Sequence, residues 1–135
     1  MESILEVGSV LPLHATALGK AVLAYLDGAR VTELLRSDLV RLTGRTHVQS
    51  AALKRELATI RERGYADERE EAVIGEAGVA AAIFDRRSEP IGSIGVAGAR
   101  ERVLKRGREQ AVSAAVIEAA RAISRDLGAP RWPAA

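Results

Sequence analysis

Two stretches of alternating side chains give the clearest pattern along this chain. In residues 77–85, Val79, Ala81 and Ile83 alternate with Gly78, Ala80 and Ala82; in residues 90–98, Ile94 and Val96 alternate with Ser93, Gly95 and Ala97. Successive side chains on a strand point to opposite faces, so each stretch reads as a strand. The polar segment Asp85-Arg86-Arg87-Ser88-Glu89-Pro90 joins them. Val79, Ala81, Ile83, Ile94 and Val96 make one face large and apolar. Gly78, Ala80, Ala82, Ser93, Gly95 and Ala97 make the other face small. A small face suits a helix packed close to the sheet, and it equally suits a ligand cavity. Alternation alone does not choose between them.

The remaining pattern is mostly helical. Residues 3–7 read as a short strand ended by Gly8. A helix over 15–26 puts Leu18, Val22 and Leu26 on one stripe, with Gly19 where a neighbour comes close. Asp27-Gly28 breaks it, and a short helix near 30–36 carries Val31, Leu34 and Leu35. Thr43-Gly44-Arg45-Thr46 reads as loop. Ser50 suits the N-cap of a helix over 51–63, whose inner face is Leu53, Leu57 and Ile60. Gly64 ends it and a strand starts at Tyr65. A long helix over 101–127 aligns Val112, Val116, Ile117, Ala120, Ile123 and Leu127, before Gly128 and a proline-containing tail.

Length and composition fit one domain with a core of Ala, Val, Leu and Ile, because Phe84, Trp132, Tyr25 and Tyr65 are the aromatic residues. The chain holds no cysteine, which excludes disulfides, thiolate metal sites and a cysteine nucleophile. No stretch is long and apolar enough to span a bilayer, and no signal peptide is visible. The formal net charge is only +2, with the signs interspersed, so charge does not argue for nucleic-acid binding.

Several residues carry candidate chemistry. At Leu11-Pro12-Leu13-His14 the chain turns into a helix, which aims free N–H groups at the space in front of it, a seat for an anion. His14 reads as a brace for this turn or as a ligand contact. Lys20 reads as paired with an internal carboxylate such as Glu70 or Glu71, or as reaching to solvent. Glu68, Glu70 and Glu71 form an acidic cluster with no nucleophile or metal-ligand spacing beside it. Glu70 and Glu71 therefore read as solvated or salt-bridged. Arg100, Arg102, Lys105, Arg106 and Arg108 lie at the start of the last helix, lack interleaved aromatics and read as a solvated or subunit-contact face.

An ordered set of residues extends this reading. It comprises Gly8, the string Pro12-x-His14-x-Thr16-Ala17-x-Gly19-Lys20-Ala21, Thr46, Leu53 and Leu57, Gly64-Tyr65, Glu70-Glu71, Gly75, Ala80-Ala81 and Arg102. From Glu6 to Gly128 the chain resembles the effector-binding domain of IclR-type transcriptional regulators. The resemblance implies an α+β, GAF-like domain with a curved antiparallel sheet flanked by helices. Residues 1–128 would form it without its first strands, and 129–135 would be a C-terminal tail.

The same resemblance implies a cytoplasmic sensor of small organic acids with no catalytic activity, metal or cofactor. It would work as a homodimer or homotetramer, away from the membrane, and reach DNA only through a separate winged helix-turn-helix domain that this chain does not contain. Self-association would follow from a sheet edge and apolar surface left uncovered by the missing strands. The implied ligand contacts are the Ala17 and Leu18 amides, the acidic Glu68, and a floor of Gly78, Gly95 and Ala97. A carboxylate larger than a two-carbon acid, aromatic or branched, is expected there, with Gly95→Leu filling the space and sparing the fold. The rival readings are a ligand-free dimerisation domain and an enzyme using His14 with the acidic cluster.

Overall fold

A computed structural model describes residues 6–37 and 39–133. The helices are α1 (Ala17–Leu23), α2 (Gly28–Leu34), α3 (Ser50–Arg63), α4 (Arg100–Val103) and α5 (Glu109–Asp126), and the strands are β1 (Ala66–Arg69), β2 (Glu76–Phe84) and β3 (Pro90–Ala99). Pairing is antiparallel in the order β1-β2-β3. This is an α+β architecture, as expected. The strand expected at 3–7 falls mainly on residues 1–5, outside the described residues; Glu6 and Val7 are not strand.

Register confirms the two faces read from alternation. Gly78, Ala80 and Ala82 stand opposite Ala97, Gly95 and Ser93, while Val79 and Ala81 stand opposite Val96 and Ile94. Val79 and Ala81 pack with Val103, Val116 and Ala120 from α4 and α5. On the small face, Ala80 packs with Ala17, Ala21, Leu23, Leu53, Leu57 and Ile60 from α1 and α3. The sheet is thus a middle layer between helices. Ser124 on α5 satisfies the irregularity between Ile83 and Phe84: its Oγ accepts from the Phe84 N–H at 3.0 Å and donates to the Ala120 carbonyl at 2.7 Å. The tail also packs, with the Trp132 Nε1–H donating to the Ala82 carbonyl at 3.1 Å and its ring edge-on to Phe84.

Three details depart from the sequence reading. The side of α1 that faces the core carries Ala17, Ala21 and Ala24, while Leu18, Val22 and Leu26 are only half-buried. A helix seated on a small sheet face approaches closely enough that alanine fills the gap. The cap of α3 is Gln49 rather than Ser50, and no side chain caps it. The long helix at 101–127 is two helices, broken near Gly107 at φ +86°, a left-handed conformation suited to glycine. Leu127, placed on its core stripe, is 46% exposed.

Candidate functional site

Thr16 starts α1. Its Oγ1 accepts from the Gly19 N–H at 3.0 Å and donates to the Pro12 carbonyl at 2.9 Å, which fixes the turn against the helix. The first helical hydrogen bond runs from the Lys20 N–H to the Thr16 carbonyl, so the Ala17 and Leu18 N–H groups have no helical acceptor. Gly19 allows this geometry, because a Cβ there would come within 2.5 Å of Leu13 Cα.

In front of this turn lies a cavity of about 460 Å³, between α1, the 9–12 segment and the small face of the sheet. All six residues singled out from the sequence, Ala17, Leu18, Glu68, Gly78, Gly95 and Ala97, line it. Thr16, Leu42, Val73 and Glu76 also line it, and the sequence reading gave no reason to choose them. The small face thus serves both purposes: Ala80 packs under α1, and Gly78 and Ala97 border open space. Gly95, Val96 and Ala97 are exposed, so the cavity opens along β3.

Gly95→Leu is not the clean cavity-filling change expected. A Cβ at Gly95 would collide with the Val79 carbonyl oxygen and lie 2.8 Å from Ala80 Cβ, so the added side chain strikes β2 instead of entering the space. Gly78 is less tight, with Ala17 Cβ and the Val96 carbonyl oxygen each 3.4 Å from an added Cβ.

The charged groups of the wall are acidic. Glu68 and Glu76 line the cavity, and no Lys, Arg or His is among its described lining residues. Glu68 is 7% exposed, and its Oε2 accepts from the Glu71 N–H at 2.9 Å. Burial pushes its carboxyl up to about 7; the Glu71 N–H hydrogen bond and Lys20 oppose this, and the charges of Glu71 and Glu76 add to it.

Behind Glu68 sits the fully buried Lys20. Its Nζ donates to Glu56 Oε1 at 2.6 Å, the Asp67 carbonyl at 2.7 Å and Glu71 Oε1 at 2.9 Å. Of the two partners foreseen, the structure uses Glu71 and adds Glu56 from α3, a long-range contact with no local signal. Glu70 instead pairs with Arg100 at 2.5 Å and Arg45 at 3.3 Å. A hydrogen bond from the Gly75 N–H and these cations hold the Glu70 carboxyl below the usual carboxylate range. Glu70 and Glu71 are therefore salt-bridged, one of the readings given for them. Thr46, buried, donates to the Glu71 carbonyl at 2.6 Å and accepts from the Leu42 and Thr43 N–H groups.

His14 braces the turn: its Nε2 lies 2.8 Å from the Val40 carbonyl, and it is not among the cavity residues. Ligand atoms of His47, Glu56 and Glu71 lie within 4.8 Å of one another, but the Lys20 ammonium already bridges the two carboxylates. The basic run falls on α4 and the turn after it, not on the last helix. Arg100 meets Glu70, while Arg102, Lys105, Arg106 and Arg108 are exposed. Among the described residues, the hydroxyl-bearing side chains of the cavity wall are Ser9 and Thr16, and Thr16 is engaged in capping.

Comparison with known proteins bears on this arrangement. Residues 1–125 match the family model for the bacterial transcriptional regulator IclR C-terminal domain. The glycerol operon regulatory protein of Streptomyces coelicolor is 44% identical over 130 residues, 96% of this chain and 51% of that protein. A solved IclR transcriptional regulator from Silicibacter sp. TM1040 superposes with a TM-score of 0.89 at 26% identity, over 97% of this chain and 51% of that one. The C-terminal domain of the Escherichia coli transcriptional regulator KdgR gives a TM-score of 0.80 at 34% identity, over 87% of this chain and 71% of that one. The chain spans about half the length of the curated relatives it matches.

Proposed function

The chain belongs to the IclR family of bacterial transcriptional regulators, matching its C-terminal domain, and from that premise we propose that it is a sensor module for a small organic acid. The observation that carries this reading is the cavity itself, whose lining brings together the six residues that the resemblance implied, from α1 and all three strands. At about 460 Å³ it falls within the usual size range of small-molecule sites. Leu11, Leu18, Leu42 and Val73 supply apolar wall, so a branched or aromatic body gains more from burial than a two-carbon acid does.

Ligand binding would shift the relative placement of subunits in a homodimer or homotetramer, and a separate DNA-binding domain would read the shift. A regulator of this kind acts in the cytoplasm, where its DNA is. Among the described residues no helix is long and apolar enough to cross a membrane.

A specific observation favours a second reading. The acidic wall and the resemblance to a glycerol operon regulator suit a neutral polyol that donates hydroxyls to Glu68. Calorimetry with benzoate, isovalerate, glyoxylate and glycerol separates the two. The organic-acid reading predicts saturable binding of benzoate or isovalerate. It also predicts at least about tenfold weaker binding in Ala97→Leu, a loss near ~1.4 kcal/mol, with the melting temperature retained, because Ala97 is exposed at the cavity mouth. Binding of glyoxylate or glycerol alone, or acid binding untouched by Ala97→Leu, contradicts it.

A further inference from the structure

Apart from the Ala17 and Leu18 N–H groups, a carboxylate ligand entering this cavity meets a wall with two glutamates and no basic side chain among its described residues. Glu68 is the more enclosed of the two. One of its oxygens is held by the Glu71 N–H, and its side chain borders the cavity. Two carboxylates brought together in a poorly solvated space repel each other unless a proton lies between them.

Resting on the organic-acid reading above, we propose that Glu68 admits an organic acid to this cavity only with one proton shared between the two carboxyl groups, so that binding to ionised Glu68 takes up one proton from solution. The hydrogen bond forms between the Glu68 carboxyl and the ligand carboxylate. The proton comes from solvent when Glu68 is ionised, and is already on Glu68 when it is not.

The surroundings support this assignment. Glu71 follows β1, and its carboxylate is engaged by Lys20 from α1, which also binds Glu56 from α3. Glu76 on β2 faces Glu68 with like charge. His47 lies beside Glu56 and Glu71, behind Lys20, and not on the cavity wall. On β1 itself, the neighbouring Asp67 and Arg69 pair with each other at 2.9 Å, and Arg63 from α3 also binds Asp67. Lys20, the cation behind Glu68, is thus already bound to two carboxylates. Burial pushes the Glu68 carboxyl up to about 7, where it changes charge within the working range of a cell.

The test is calorimetry of benzoate binding to this chain from about pH 5.5 to about pH 8.5, where benzoate stays ionised, in buffers of differing ionisation enthalpy. Wild type, Glu68→Gln, Glu76→Gln and His47→Gln are compared. The amide oxygen introduced by Glu68→Gln can still accept from the Glu71 N–H, so the loop contact survives the change. The expected result is an affinity that holds up to about pH 7 and then falls about tenfold per pH unit, with close to one proton taken up per benzoate bound at the alkaline end. Glu68→Gln should bind with an affinity independent of pH.

A wild-type affinity flat across the range, with no proton uptake, overturns the inference and leaves the organic-acid reading standing. A pH dependence that persists in Glu68→Gln but vanishes in Glu76→Gln or His47→Gln overturns it too. Absence of benzoate binding at every pH in every variant instead contradicts the organic-acid reading, and the inference falls with it.

Discussion

Lys20 shows how one residue ties the cavity wall to the core. A lysine with no exposed surface is tolerated because three oxygens, from Glu56, Asp67 and Glu71, surround its ammonium. Lys20→Met would leave the Glu56 and Glu71 carboxylates buried without their cation. The expected cost is about 3–5 kcal/mol in chemical denaturation, with partial recovery when Glu71→Gln is added. A loss below about 1 kcal/mol would mean that solvent screens the cluster. The string from Pro12 to Ala21 placed Lys20 on the first helix, and the acidic residues after Tyr65 suggested a partner. Glu56 was not legible. It sits on the flank of the Leu53, Leu57 and Ile60 face of its own helix, and which element that flank meets is set by tertiary packing. The titration of Glu68 was also hidden, because burial and neighbouring charge set it, and neither is a local property.

At the scale of elements, α1 and the small face of the sheet form a matched pair. Gly78, Ala80, Gly95 and Ala97 were legible as one face because strand alternation has a period of two and the register preserves it. Which end of that face is packed and which is open depends on where α1 sits, and that is set by Thr16 and by the passage of Leu13 over Gly19. Gly19→Ala would drive its Cβ into the Leu13 backbone. Destabilisation of at least ~1–3 kcal/mol is expected from such overpacking. Gly28→Ala, whose Cβ meets nothing within 4 Å, should be neutral or slightly stabilising. Equal melting temperatures for the two variants would show that the Leu13 segment moves aside freely. The error at 101–127 has a related origin. The apolar stripe began only at Val112, and the helix was carried back past Gly107, where a residue at φ +86° ends it.

For the whole molecule, the layered arrangement explains why a cavity survives in a small domain. Both sheet faces are covered by helices, and the charged network of Lys20, Glu56 and Glu71 anchors α1 at its inner end. The start of α1 and the outer edge of the small face are therefore held apart without filling the space between them. Family, fold and six of the residues that line the cavity were accessible from sequence, because the ordered motif set spans nearly the full chain. The acidic character of the wall and the steric closure at Gly95 emerged only when β2, β3 and α1 were brought together. The central claim is that this space is a ligand site. Its most direct test is a crystal structure of the chain grown with benzoate at saturating concentration near pH 6. The account predicts a single ordered benzoate in contact with Ala17, Gly78 and Ala97, its carboxylate hydrogen-bonded to Glu68. A cavity filled only by water, or collapsed onto side chains from the 9–12 segment, would contradict it.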